Sequence, residues 1–326
     1  MKVAEIENNI LVVKEREDEK LDGRKGALVK VLGCGLCGSD IVKLTQHLAK
    51  EGTVLGHEIV ASIVEIDSDT DFKVGDTIIT SHHIPCGKCE YCKNGNVSMC
   101  RHFKETNIRP GGFSELVFVS EEHLKNVAYL KPQNFTNAEA AFYEPLGCCI
   151  RAVKRANLRE HSTALVIGLG SIGILMAQAL KAFGMNVVGC DLISSRVELL
   201  KSLGIEAFKV TDMCESIKAD GVFMTSGSDK AIPTALKYVR DGGKILVFSS
   251  TPHNMGYANN EIYYRELTVL GSYSPSPADL YDSYNLLKNK EVKVMGLSSE
   301  YALDEVQNAI NDTLDNKILK AYIKVS

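Results

Sequence analysis

Ala164-Leu165-Val166-Ile167-Gly168-Leu169-Gly170-Ser171-Ile172-Gly173 decides how this chain reads. Four apolar residues in a row make a strand buried on both faces, and the glycines after it are spaced G-x-G-x-x-G. A helix then runs to Phe183, with Ile174, Leu175, Ala179 and Leu180 on its inner face, and Gly184 ends it. The next strand, 187–190, delivers Asp191, about 20 residues beyond the glycines. The glycines let the backbone reach a pyrophosphate, whose charge meets the free N–H groups at the helix start. Asp191 can accept from both adenosine ribose hydroxyls and would repel a 2′-phosphate, which favours NAD over NADP. Gly168, Gly170, Ser171, Ile172, Gly173 and Asp191 are therefore assigned to the cofactor, together with Arg196 and Thr225.

From Thr163 onward strands and helices alternate, the mark of a parallel sheet joined by crossovers. Further strands read at 221–224 and 244–248. Each is followed by a small polar loop, Thr225-Ser226-Gly227 and Ser249-Ser250-Thr251-Pro252, of the kind that lines a cofactor crevice. Helices at 279–288 and 303–313 and a strand at 321–325 complete the chain and are expected to pack back on its first part.

Residues 1–80 have a different texture. Short strands read at 27–32, 59–66 and 77–80, with Gly-Asp turns, and they suggest a small barrel-like β domain. Inside it lies Gly33-Cys34-Gly35-Leu36-Cys37-Gly38-Ser39-Asp40, whose glycines free the backbone to fold tightly round a ligand. Ser39-Asp40 can cap a helix carrying Ile41, Leu44 and Leu48 inward, which leaves Cys37 just before the helix N-terminus, where a thiolate is favoured. Cys34 reads as a small buried thiol. Gly56-His57-Glu58 sets an imidazole beside a carboxylate.

Cys86-Gly87-Lys88-Cys89-Glu90-Tyr91-Cys92, closed by Cys100, can bring four thiolates to one tetrahedral ion. Four sulfurs fill the shell and leave no room for substrate, so this is read as a structural zinc site; the usual iron–sulfur spacings differ. His82, His83 and His102 flank it and are read as surface residues. Further on, Glu144 precedes Pro145 and is expected in an extended conformation just before a helix. It reads equally as an inward-pointing ligand or as a helix N-terminal charge favoured by the dipole.

A chain of 326 residues suggests about two domains. The formal charge of -4, with lysines and arginines scattered, argues against a nucleic-acid surface. On the cysteine lobe, Lys88, Lys93, Arg101 and Lys104 are offset by Glu90 and Glu105, and no base-reading helix follows. No apolar run approaches the roughly 20 residues of a bilayer span, and Met1-Lys2-Val3-Ala4-Glu5 lacks a signal-peptide pattern. The expectation is a cytoplasmic protein, where ten cysteines point to metal ligation rather than disulfides.

In order and spacing, Cys37-Gly38-Ser39-Asp40, Gly56-His57-Glu58, the cysteine lobe, Glu144-Pro145-Leu146 and the glycine fingerprint resemble the zinc-dependent medium-chain dehydrogenase/reductase superfamily over essentially the whole chain. Within it they look most like the sorbitol (polyol) dehydrogenase branch. The resemblance implies an α/β protein: a GroES-like β-rich catalytic domain over 1–145 with its zinc lobe at about 82–104, a Rossmann doubly wound NAD-binding domain over 146–271, and a return to the catalytic domain over 272–326. It implies two zinc ions per chain. The catalytic one would be held by Cys37, His57 and a third group, matched by Glu144 in polyol and sugar dehydrogenases, with Glu58 binding directly or through water; Cys148 is a poor substitute. A hydroxyl at the open position loses its proton readily, because the cation stabilises the alkoxide.

The implied activity is reversible oxidation of a secondary alcohol of a polyol, sugar or related hydroxy compound to a ketone, with NAD as acceptor. Ser39 matches the hydroxyl that takes the proton. The family's relay histidine five residues after the cysteine is Val42 here, leaving Lys43, His47 or water for that step. The alternatives are a threonine or simple-alcohol dehydrogenase with the same metal chemistry, and a non-enzymatic NAD(H)-binding sensor. Against the sensor stands the joint presence of Cys37, His57, Glu58 and Glu144. Relatives are dimers or tetramers, so a homo-oligomer is expected.

Overall fold

Strand Thr163–Ile167 lies inside a six-stranded sheet, paired with Asn186–Asp191 on one side and Ala219–Met224 on the other. The full order is Glu206–Lys209, Asn186–Asp191, Thr163–Ile167, Ala219–Met224, Val239–Val247, Thr268–Gly271, and every pairing is parallel. The strand order reverses between Thr163–Ile167 and Ala219–Met224, and crossovers diverging from such a point leave a crevice at the strands' carboxyl ends. Ala164, Leu165 and Val166 are wholly buried, as a central strand covered on both faces requires. The edge strands Glu206–Lys209 and Thr268–Gly271 escaped the sequence pattern because most of their side chains are exposed, which leaves no run of buried apolar residues to mark them.

The computed structural model describes residues 1–250, 256–257 and 259–326. Thr251 and Pro252, assigned above to a crevice loop, lie outside the described residues. The chain divides into one unit of Met1–Glu144, Ser276–Tyr284 and Val294–Ser326, and a second of Pro145–Pro275 and Asn285–Lys293, which holds the parallel sheet. The protein is thus α/β, with a β-rich first unit and a doubly wound parallel sheet in the second.

In the first unit a seven-stranded sheet runs Ser299–Ala302, Ala321–Lys324, Gly26–Gly35, Glu58–Asp67, Thr77–Thr80, Ala128–Leu130, with Leu116–Ser120 also on Gly26–Gly35. The C-terminal strand enters antiparallel, setting Tyr322 opposite Gly35 and Ile323 opposite Cys34. Val29, Val31, Ala61 and Ile78 sit in the core beneath it.

Two local expectations are corrected. Gly33 and Gly35 do not form a ligand-wrapping turn; they lie in strand Gly26–Gly35. A Cβ on Gly33 would meet the Tyr322 ring, and one on Gly35 would meet the Glu58 carboxylate, so each glycine makes room for a neighbour's side chain. Leu48 lies beyond helix Gly38–Thr45 and is 65% exposed, while Ile41 and Leu44 are buried.

Candidate active site

Helix Gly38–Thr45 begins with a reciprocal cap. Cys37 is the N-cap residue, its Sγ accepting from Ser39 N–H at 3.4 Å, while Asp40 Oδ2 accepts from Cys37 N–H at 3.2 Å. The expected Ser39-Asp40 cap is therefore replaced by Cys37 with Asp40. This places the sulfur over the free N–H groups of the first turn, which favour negative charge. His57 ends the loop before strand Glu58–Asp67, and Glu58 opens that strand. Ligand atoms of Cys37, His57 and Glu58 lie within 4.8 Å of one another, and His57 and Glu58 are buried.

Two groups beside this cluster control its charges. Asp40, fully buried, sets Oδ1 3.5 Å from His57 Nδ1. A carboxylate facing Nδ1 favours the tautomer protonated there and leaves Nε2 with a lone pair for a metal. Burial acts to lower the His57 pKa, but the charges of Asp40 and Cys37 outweigh it and raise it well above the usual value. Lys320, 5% exposed, places Nζ 2.6 Å from Glu58 Oε2 and donates to the Leu36 carbonyl at 3.1 Å. Sequence reasoning passed over both roles. The usable signal was Gly33 and Gly35 alternating in one strand, together with a lone lysine in the apolar run Ile318-Leu319-Lys320-Ala321-Tyr322-Ile323.

His82 and His83 are not surface residues. The His82 ring lies 4.5 Å from that of His57 and 3.9 Å from that of His83, which packs at 4.8 Å on Phe103. His83 Nδ1 pairs with the Thr106 carbonyl. Burial pushes the His83 pKa down to about 4 and that of His82 well below its usual value. The rings thus run in tilted contact from the strand end toward Phe103. His102 pairs with Glu122 at 2.9 Å.

Cys86, Cys89, Cys92 and Cys100 also gather within 4.8 Å of one another. Cys89 caps the short helix Glu90–Lys93, and Cys100 joins Val97–Met99 to helix Arg101–Glu105. Sulfurs ~2.3 Å from a tetrahedral ion stand roughly 3.8 Å apart. The Cys89–Cys92 and Cys86–Cys92 separations of 3.6 and 4.0 Å bracket that spacing, so the lobe fits zinc.

In the second unit Gly168 has φ +96° and Gly170 opens helix Ser171–Ala182 as its N-cap, with open space where its Cβ would be. A Cβ on Gly173 would strike the Gly168 carbonyl oxygen at 1.9 Å. Thr225 Oγ1 donates to that same oxygen at 2.6 Å, clamping the loop to the neighbouring strand end. Asp191 Oδ2 accepts from Leu169 N–H at 2.5 Å and Oδ1 from Ile193 N–H at 2.8 Å. A carboxylate has about four acceptor positions, so roughly two remain for ribose hydroxyls. Arg196 Nη1 stands 3.8 Å from Asp191 Oδ2.

Residues 23–129 match the alcohol dehydrogenase GroES-like domain, and residues 171–289 match the zinc-binding dehydrogenase domain. The chain belongs to the zinc-dependent medium-chain dehydrogenase/reductase superfamily. It is 29% identical to sorbitol dehydrogenase of Bacillus subtilis (strain 168), across 91% of this chain and 89% of that protein. It is 28% identical to D-arabitol-phosphate dehydrogenase of Enterococcus avium, across 96% and 92%. The crystal structure of galactitol-1-phosphate dehydrogenase from Escherichia coli superposes with a TM-score of 0.85 at 23% identity, covering 100% of both chains. Such membership makes this chain an oxidoreductase of CH–OH groups that works with zinc and a nicotinamide cofactor.

Other residues of this dehydrogenase fall as follows. Glu144 is 3% exposed and lies within the first turn of helix Tyr143–Ala156, not in the extended segment expected before Pro145. In a helix's first turn proline lacks only an N–H that has no partner there anyway. Glu144 lies outside the 4.8 Å group formed by Cys37, His57 and Glu58. Ser39 is exposed in the first turn of its helix, Val42 and Lys43 are half-buried, and His47 lies beyond that helix, exposed, with φ 55°. Among the described residues, no helix is long and apolar enough to cross a membrane.

Proposed function

We propose that this dehydrogenase oxidises a secondary hydroxyl of a polyol, sugar or related compound reversibly to a ketone, with NAD as acceptor and two zinc ions per chain. The structural ion belongs to Cys86, Cys89, Cys92 and Cys100, and the catalytic ion to Cys37, His57 and a carboxylate, Glu58 or Glu144. The observation that carries the reading is the convergence of thiol, imidazole and carboxylate within 4.8 Å, a sulfur–nitrogen–oxygen donor set that suits zinc. Relatives that act on sorbitol and D-arabitol phosphate support the polyol class.

Bound zinc would supply Lewis-acid stabilisation to the substrate hydroxyl, and bound NAD would supply the hydride acceptor. The chain's own residues prepare for this. Asp40 holds the His57 tautomer, Lys320 balances the buried Glu58 charge, and the Ser39 hydroxyl takes the proton, with Lys43, His47 or water beyond it. Asp191 receives the ribose hydroxyls and repels a 2′-phosphate. The reading extends to a cytoplasmic homo-oligomer, dimer or tetramer.

The test is NADH formation, followed by absorbance, across polyols, sugars, threonine and simple alcohols, before and after chelation, with zinc counted per chain. Chelator-sensitive turnover of a polyol with about two zinc ions per chain is expected. Turnover unaffected by complete metal removal, or confined to threonine or simple alcohols, would overturn it.

A further inference from the structure

One polar atom beside the Cys37, His57 and Glu58 cluster has no task in the scheme above. Strands Glu58–Asp67 and Thr77–Thr80 pair antiparallel with Ile59 opposite Thr80. Continuing that register by two residues at each end brings His57 opposite His82, and the two rings lie 4.5 Å apart with planes at 43°. His82 Nδ1 is buried and has no hydrogen-bond partner among the described residues. Buried polar atoms are nearly always paired, so an unpaired one beside a reaction centre calls for a ligand atom.

The setting of His82 is firm. Its carbonyl accepts from His123 Nε2 at 3.0 Å, and His123 Nδ1 is engaged with Ser120 Oγ at 2.7 Å. Its ring is backed by His83, itself tied to the Thr106 carbonyl. His82 is not part of the group of atoms that could share a metal ion. A neutral imidazole offers one donor and one acceptor, and a hydroxyl can pair with either.

We infer that His82 determines specificity by hydrogen-bonding a second substrate hydroxyl, on the carbon next to the one oxidised, so that the site selects vicinal diols and polyols over mono-alcohols. The inference rests on the polyol reading above and assigns it a discriminating side chain. A mono-alcohol leaves His82 Nδ1 unpaired when water is excluded, and that penalty falls only on the wrong substrate.

The test compares 2,3-butanediol with 2-butanol, with xylitol and sorbitol alongside, in the zinc-loaded enzyme. His82→Phe keeps a ring but no polar atom. It should lower kcat/KM for the diol and polyols about 10- to 100-fold while moving 2-butanol less than about threefold. The loss should sit mainly in KM, as for contacts made equally in ground and transition states. His82→Asn, whose amide can stand near the Nδ1 position, should restore part of the diol preference. Zinc content and melting temperature should match the parent, so that a packing defect is told apart from a lost contact. Equal losses on diol and mono-alcohol, or a parent enzyme with no preference between them, would overturn the role of His82 while leaving the polyol reading intact. A parent enzyme inactive on every diol and polyol would overturn both. Should His82→Phe not fold, the parent preference and His82→Asn still decide.

Discussion

Replacing Lys320 with methionine keeps the alkyl stem and removes the ammonium that faces Glu58 at 2.6 Å. Both side chains are buried, 5% and 0% exposed, so the remaining carboxylate would have neither water nor a counter-charge in the metal-free protein. Breaking such a pair from one side costs about 3–5 kcal/mol. At ~2–4 °C per kcal/mol for a unit of this size, the melting temperature should fall roughly 6–20 °C. Lys320→Met with Glu58→Gln removes both charges, and coupling between the two sites should return about 1–3 kcal/mol relative to the summed single effects. Zinc should stabilise the Lys320→Met protein more than the parent, because the cation takes over the balance of Glu58. The pH sign is also determined. Burial acts to lower the Lys320 pKa, but Glu58 raises it above the ordinary lysine value of 10.5. The pair's contribution is then complete below that value and lost only as pH rises through the still higher folded one. The Lys320 contribution to the parent's stability should therefore be flat from about pH 6 to 9. Urea titrations of metal-free and zinc-loaded protein measure all of this. A Lys320→Met protein within about 1 kcal/mol of the parent, or strict additivity in the double variant, would refute the charge-balance reasoning.

Cys89→Ser should lower zinc content by about one ion per chain and reduce stability, measured by metal analysis and thermal melting; unchanged metal content would sink the structural-site assignment. Asp191→Ala removes the ribose acceptor and the Leu169 N–H anchor together, so NAD affinity should fall about 10- to 150-fold with a smaller NAD-to-NADP ratio. An unchanged ratio in steady-state kinetics would show that the acid does not read the ribose. Gly173→Ala forces a methyl against the Gly168 carbonyl, so dinucleotide binding, read by NADH fluorescence, should be lost while zinc content stays. Normal binding would mean that the helix can step away from the loop.

What could be read from the sequence was local, and what could not was set by strand pairing. The glycine fingerprint, the cysteine spacing and Gly56-His57-Glu58 each confine their chemistry to a short window, where spacing alone limits what the groups can reach. Asp40 was legible as part of a helix cap, because capping acts over three residues. Its second task, facing His57, depends on where strand Glu58–Asp67 brings that ring. Lys320 reaches Glu58 only because the C-terminal strand Ala321–Lys324 joins Gly26–Gly35 from the far end of the chain. His82 meets His57 through one antiparallel register, and a slip of one residue would turn its ring to the other face. The candidate metal ligands therefore announce themselves in sequence, whereas the approach of Asp40 and His82 to His57, and of Lys320 to Glu58, depends on strand pairing. On the inference above, changes in specificity among chains that share the ligand motifs should accordingly arise at positions such as His82, outside the Cys37–Asp40 and Gly56–Glu58 motifs.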